Sequence, residues 1–275
     1  MAMTYEKPAG ARLGSRVRDL AGASWRPAVF LVVVFIVWWA ATALGWVKPY
    51  LIPPPAKVWE AMTQDKDLLL KHTRVTLYET FIGFILAVLA GQLAAIAIVF
   101  SPTVEKTLYP ILLFAQVVPK IAIAPLFVVW MGFGPGPKIL SAVLIAFFPV
   151  VISGVAGLRS VDPELLDLAA IMGAGVWKTF MKIRFPASLP HLFSGLKVAA
   201  TLAVTGAVVG EFVGSNEGLG YILLIANGNL NAALLFAGLI IMSLIGVLFF
   251  VAIEVAEALL MPWHASRRRK VEATM

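Results

Sequence analysis

The sequence predicts an all-α integral membrane protein with six spanning helices, and three observations carry that reading. The chain has 275 residues, of which 60% are hydrophobic and 13% charged; an ordinary soluble domain is about 45–50% apolar and about 25% charged. Mean hydropathy is +0.91. Six segments reach the roughly 20 mostly apolar residues that a spanning helix needs. Apolar surface in this excess has no soluble arrangement, because too little polar surface remains to cover it.

The expected spans are Ala28 to Val47, about Leu77 to Phe100, about Lys106 to Met131, about Lys138 to Leu158, about Leu192 to Val213 and about Ala233 to Leu260. The organisation that follows is a leader of residues 1–27, a six-span domain of residues 28–260 and a basic tail of residues 261–275. The first span has a rival reading as a signal peptide, since a basic leader precedes it and "ATA" at Ala41 to Ala43 resembles a cleavage site. The long leader and the apolar run beyond that site favour an uncleaved span. Lysine and arginine set the orientation. With the N-terminus inside, 14 of the 22 basic residues fall in the leader, near Ser101, in residues 159–190 and in the tail "SRRRK" at Ser266 to Lys270. The expected arrangement is therefore a multi-pass membrane protein with both termini cytoplasmic. The net charge of +7 then belongs with the anionic lipid leaflet rather than with nucleic acid.

The outer loops have their own texture. Pro53 to Pro55 forbid a helix, and Val58, Met62 and Leu69 follow at loose helical spacing, as in a short interfacial helix. "MGFGPGPK", Met131 to Lys138, is a turn. "GSNEGLGYILLIANGNLN" from Gly214 is too polar at its ends to span, and its centre, Tyr221 to Ala226, is expected to dip back against the bundle.

Residues 159–190 are charged, helical and too short to span. Asp162 suits an N-cap and Pro163 the first helical position. Glu164 lies where the helix dipole favours an acid. Leu165, Leu168, Ala169 and Met172 recur at helical spacing before Gly173 and Gly175 interrupt. "VWKTFMKIRF" reads as a second short helix, ended by Pro186 and Pro190. From the residues alone this helix, glycine elbow and helix is either a loop lying on the lipid surface or a docking element for a cytoplasmic partner.

The segment resembles the "EAA" signature of the transmembrane permease subunits of binding-protein-dependent ABC importers. Asp167 to Ala169 stand at its start, Gly173 at its glycine and "IRFP", Ile183 to Pro186, at its end, with Asp167, Leu168 and Phe185 departing from the usual residues. "TLYETFIGFILAVLAG" from Thr76, "QVVPKIAIAPLFVVWMGFG" from Gln116 and "GEFVGSNEGLGY" from Gly210 are similar to the nitrate, sulfonate and taurine branch, which also includes permeases for thiamine precursors. The resemblance implies a type I importer permease fold in which residues 159–190 form a cytoplasmic coupling helix. It implies contacts with an ATPase subunit at Glu164, Asp167, Ala169, Gly173, Ala174 and Gly175. The implied partners are a second copy of the chain, two ATPase subunits that bind the ATP and its magnesium ion, and an extracytoplasmic solute-binding protein. The expected cargo is a small anion such as a sulfonate or nitrate, with a neutral pyrimidine or vitamin precursor as the alternative.

The chain itself is not expected to be an enzyme or to hold a cofactor. A phosphate-binding loop needs G-x-x-x-x-G-K-[ST], and "GFGPGPKI" lacks both the glycine before Lys138 and the hydroxyl after it. There is no cysteine, and His72, His191 and His264 are scattered. A channel or secondary transporter would want matched broken helices and a membrane enzyme a convergent catalytic set; neither pattern is visible.

Within the spans a few polar residues stand out. A mid-membrane lysine costs about 2.5–3.5 kcal/mol on insertion scales, so Lys120 wants water or a partner. Gln116, one turn earlier, is placed to share its face. Lys120 is either a positive point on a translocation pathway or a structural group paired with Glu211 or with a carbonyl freed by Pro119 and Pro125. Glu211, at the outer end of the fifth span, is a gate residue, a binding-protein contact or an interfacial anchor. Glu254 and Glu257 are expected to pair with basic residues or to snorkel. Ala203, Gly206 and Gly210 belong to a small-residue run that allows close helix contact, either within the subunit or, as the resemblance implies, along a seam with a second copy.

Overall fold

The computed structural model describes residues 28–261, so the leader and the tail beyond Met261 lie outside the described residues. The regular structure there is helical. It comprises α1 (Ala28–Ala43), α2 (Pro55–Gln64), α3 (Lys66–Phe100), α4 (Pro102–Val117), α5 (Ala124–Met131), α6 (Pro135–Arg159), α7 (Pro163–Ile171), α8 (Val176–Thr179), α9 (Phe185–Gly214), α10 (Leu219–Gly228) and α11 (Ala232–Leu260). Four helices among the described residues are long and apolar enough to cross a membrane: α3, α6, the 39-residue run Val176–Gly214 and α11. A bent pair, α4 with Lys120–Met131, makes a fifth crossing if the two halves are one span.

Three expectations about the spans need correction. The third span is not straight: it breaks after Val117 and its halves meet at 89°. Pro119 has no N–H to continue the helix, and Val118, the residue before it, is extended, as proline requires of its predecessor. The first helix ends at Ala43 rather than Val47. Pro186 and Pro190 do not end a helix. A single π turn, Phe180–Arg184, joins α8 to α9, with the Phe185 N–H bonded to the Phe180 carbonyl. Pro186 then falls in the first turn of α9, where a missing N–H removes no bond of that helix.

The core is built on α6, which lies between α3 and α9. Small residues let these backbones close up. A Cβ on Gly83 of α3 would meet the Ala142 Cβ at 2.5 Å, and one on Gly206 of α9 would meet the Ala142 Cα at 2.6 Å. Helix α11 closes the bundle through Phe249, edge-on to Phe84 of α3 with centroids 6.4 Å apart. At α9 it adds the ion pair of Lys197 with Glu257, 2.5 Å. Helix α3 runs roughly 50 Å at 1.5 Å per residue, longer than a hydrocarbon core of about 30 Å, and its charged first turns hold Lys66, Asp67, Lys71 and Arg74. Helix α2 is not a free surface helix. Val58 and Ala61 are buried, in a cluster that also includes Ala237 and Met242 of α11, while Leu69 belongs to α3. The expected return of Tyr221 to Ala226 toward the bundle is present as α10, whose Ile222, Leu223 and Ala226 join the same cluster.

Candidate functional site

Three polar places interrupt this apolar bundle. The first is the elbow between α6 and α9. The Asp162 side chain accepts from the Glu164 N–H at 3.0 Å, so the N-cap forms as its residue type favours. Gly173 ends α7 with φ +74°. Its N–H bonds the Ala170 carbonyl at 3.0 Å and the Ala174 N–H bonds the Ala169 carbonyl at 2.9 Å, the paired bonds of a Schellman stop. Ala169 is therefore buried and spent on the internal turn. Glu164, Asp167, Gly173 and Gly175 are exposed and Ala174 is half-buried.

The elbow is fastened to the bundle on one side and open on the other. Phe180 is buried against Phe100 of α3, with centroids 5.5 Å apart. Arg159 pairs with Glu105 of α4 at 2.7 Å. On the open side Ile171 is 84% exposed, Met172 77%, Val176 71% and Trp177 70%. Bare apolar side chains here suit a lipid surface or a docked partner.

The second place is a cavity of about 530 Å³ lined by Gln116, Lys120, Phe148, Ser153, His191 and Ser194, among others. The break after α4 creates it. Lys120 opens a 3-10 turn, and its ammonium lies 4.6 Å from the centroid of the Phe148 ring. The same ammonium donates to the Gln116 carbonyl at 3.3 Å, a carbonyl that the proline break leaves without a helical partner. Gln116 and Lys120 thus line one cavity, but across the break rather than on one helix face. Sequence reading missed Ser153, His191 and Ser194, which come from α6 and α9 and carry no local signal.

From that cavity onward α9 turns several polar side chains outward. His191, Ser194, Thr201 and Thr205 are exposed at helical spacing. Thr201 bonds only the Val198 carbonyl of its own helix, at 2.9 Å. The small-residue run faces the other way. Ala203 is fully buried, and a Cβ on Gly206 or Gly210 would meet backbone of α6 in the same chain, at Ala142 and Lys138. Close packing within the subunit, rather than an open seam, is what these glycines serve.

The third place is a buried polar cluster at the far end of α9. Glu211 is fully buried and does not pair with Lys120. Its Oε1 accepts from the Thr76 hydroxyl at 2.6 Å and its Oε2 from the Gly220 N–H at 2.5 Å. The Thr76 hydroxyl accepts in turn from the Leu219 N–H at 2.8 Å. His72 Nδ1 accepts from the Gly218 N–H at 2.9 Å. Glu79 is buried beside Lys138, 3.9 Å away. Outside, Glu217 pairs with Lys71 at 2.9 Å, and the lysine's hydrogen bond and charge hold the Glu217 carboxyl below the usual carboxylate range. No group of three or more metal-ligating side chains occurs among the described residues.

Comparison with known proteins fits this architecture. The chain is 35% identical to the formylaminopyrimidine transport permease protein ThiX of Halalkalibacterium halodurans, over 86% of this chain and 95% of that one. It is 36% identical to the riboflavin transport system permease protein RibX of Chloroflexus aurantiacus, over 93% and 97%. It is 30% identical to the taurine transport system permease protein TauC of Escherichia coli K12, over 85% and 88%. Among solved structures, a chain of the MetNI methionine ABC transporter superposes with a TM-score of 0.63 at 19% identity, covering 70% of this chain and 96% of that one. A family model described as "Binding-protein-dependent transport system inner membrane component" matches residues 83–262, and with relatives at this identity and coverage the chain belongs to that family, the permeases of ABC importers.

Proposed function

We propose that this chain forms the translocation pathway of an ATP-driven importer, that residues 159–190 receive force from a cytoplasmic ATPase subunit, and that two copies assemble with two ATPases and a solute-binding protein. The observation that carries the coupling role is the elbow itself. It presents Ile171, Met172, Val176 and Trp177 outward while Phe180 and Arg159 tie it to α3 and α4. A rigid piece with one bare apolar face and one anchored face can pass a push from a docked partner to the spans as a rigid-body motion. Exposed Glu164 and Asp167 supply the polar rim of that contact, and Gly173 and Gly175 keep its surface low. Hydrolysis then takes place in the partner, and this chain contributes no covalent chemistry.

Pairing of two copies follows from the outward polar side chains of α9. The hydroxyls of Thr201 and Thr205 are bonded to carbonyls of their own helix, but an imidazole facing lipid would be costly, whereas facing a second copy it lines a wet path. The cavity around Lys120 opens on the same helix face, through His191 and Ser194. Its ammonium favours a small anion, such as a sulfonate, at that point. A neutral nitrogen heterocycle is the second reading, and the higher identity to the formylaminopyrimidine and riboflavin permeases than to the taurine permease favours it.

The test is co-purification of the cognate ATPase in detergent with wild type, Gly173→Asp and Trp177→Glu, with ATP turnover of each complex. Wild type is expected to hold the ATPase and both variants to lose it while still inserting. Normal coupling in the variants would return the elbow to the role of a lipid-surface loop.

A further inference from the structure

Helix α10 has ten residues, too few to be stable in water alone, and its first N–H groups have no partners of their own. Three of these amides are consecutive, and each is taken by a different side chain. The Gly218 N–H goes to His72 Nδ1, the Leu219 N–H to Thr76 Oγ1 and the Gly220 N–H to Glu211 Oε2. His72 and Thr76 come from α3 and Glu211 from α9. Gly218 has φ +102°, and the Glu211 carboxyl occupies the place where a Cβ would stand, so only glycine brings the amides this close. One hydroxyl closes the network. Thr76 Oγ1 accepts from α10 and donates to Glu211 of α9, using both capacities of a hydroxyl. Thr76 and Glu211 are fully buried and His72 nearly so. The apolar side of α10 is held as well, since Leu219, Ile222 and Leu223 pack with Leu69 of α3 and Val204 of α9.

We infer that Thr76, with His72 and Glu211, is a positioning anchor that fixes α10 to α3 and α9 as one body, so that α10 travels with those spans throughout the transport cycle and does not swing separately as a flap. The inference rests on the reading of the chain as an importer permease. The far end of the pathway then opens by movement of whole α3–α6–α9 units, and the buried bonds of the anchor stay made.

The native chain has no cysteine, which makes introduced thiols the sole reactive sites. Leu223 is buried beside Gly238, and labelling of Leu223→Cys by an impermeant maleimide in nanodiscs reports opening of α10. In this background Thr76→Val, which keeps the shape and removes the hydroxyl's bonds to Glu211 and to the Leu219 N–H along with its longer contact to the His72 carbonyl, is expected to raise the labelling rate about tenfold, as loss of modest bonds implies. Thr76→Ser keeps the hydroxyl and is expected to label as wild type does. Equal labelling of all three would overturn the anchor. A second arm bridges Lys71→Cys and Glu217→Cys with a short bis-maleimide, to which each thiol adds, in the complex with the ATPase. Retained ATP turnover after bridging supports one-body motion, and arrest of turnover would overturn it. If no ATPase associates with the unmodified chain, the importer reading fails, while the labelling result still decides the anchor because it needs neither ATPase nor substrate.

Discussion

Lys197 of α9 and Glu257 of α11 form an ion pair 2.5 Å long, and both side chains are about nine-tenths buried. A second carboxylate, Glu254, stands 4.0 Å from the same ammonium, and the ring of Phe250 lies 5.6 Å away. Removing one partner of a buried pair leaves the other charge uncompensated, which costs about 3–5 kcal/mol, whereas replacing both with apolar groups is often near neutral. Glu257→Leu, which takes from the buried Lys197 ammonium its nearest carboxylate, is therefore expected to lower the thermal midpoint in detergent. The Lys197→Met, Glu257→Leu double variant is expected to recover most of the loss. Equal destabilisation by single and double variants would show that the pair does not hold α11 to the bundle.

Two glycines are expected to respond to alanine in opposite ways. At Gly173 nothing lies within 4 Å of an added Cβ, so Gly173→Ala meets only the cost of a positive φ, about 1–3 kcal/mol, felt locally at the elbow. At Gly206 the added atom meets α6 backbone at 2.6 Å, and overpacking of this kind costs about 1–3 kcal/mol across the whole helix pair. Gly173→Ala should leave the melting midpoint near wild type and weaken ATPase binding. Gly206→Ala should lower the midpoint and leave the elbow surface unchanged. Differential scanning of the two proteins, with ATPase co-purification alongside, separates the effects.

Lys120 provides the test of cargo charge. A hydrogen bond to a charged group is worth roughly 1.5–3 kcal/mol. If the cavity beside Phe148 meets an anion, Lys120→Met should raise the KM for an anionic cargo about tenfold or more in proteoliposomes of the complete complex. Uptake of a neutral cargo should change little. Unchanged kinetics for both would make Lys120 a structural group that caps the Gln116 carbonyl and nothing more.

The Lys71–Glu217 pair should respond to acid. Lys71 depresses the Glu217 carboxyl below the usual carboxylate range. The contribution of the pair is thus complete above that range and is lost as pH falls through the lowered value. Hydrogen exchange in residues 214–221, corrected for intrinsic rates, should speed up in wild type as the carboxylate is protonated. Glu217→Gln should show no such step. Because the pair is exposed, the effect should be small and should shrink with added salt.

Much of the elbow was legible because its signals are local. Asp162 and Pro163 mark a helix start, Gly173 a stop, and the structure uses them in those roles. Ala169 shows the limit of the same reading, since its place in the motif did not reveal that its carbonyl closes the internal turn. The proline signals were harder. Pro119 breaks its span, yet Pro186 and Pro190 do not end theirs: Pro186 falls in the first turn of α9 after the π turn, and Pro190 is tolerated inside that helix.

By itself the sequence determined the helical membrane class, the approximate position of most spans and the helix–glycine–helix pattern within residues 159–190. Each of these follows from composition, periodicity or spacing within one stretch of chain. Only the tertiary structure decided which way each polar group looks. It turned Gly206 and Gly210 toward α6, brought Ser153, His191 and Ser194 to Lys120, and gave Glu211 to Thr76 and Gly220 instead of to Lys120. Thr76 and Glu211 are 135 residues apart in the chain. A contact between such residues is set by which helix faces pack together, and no local pattern encodes it.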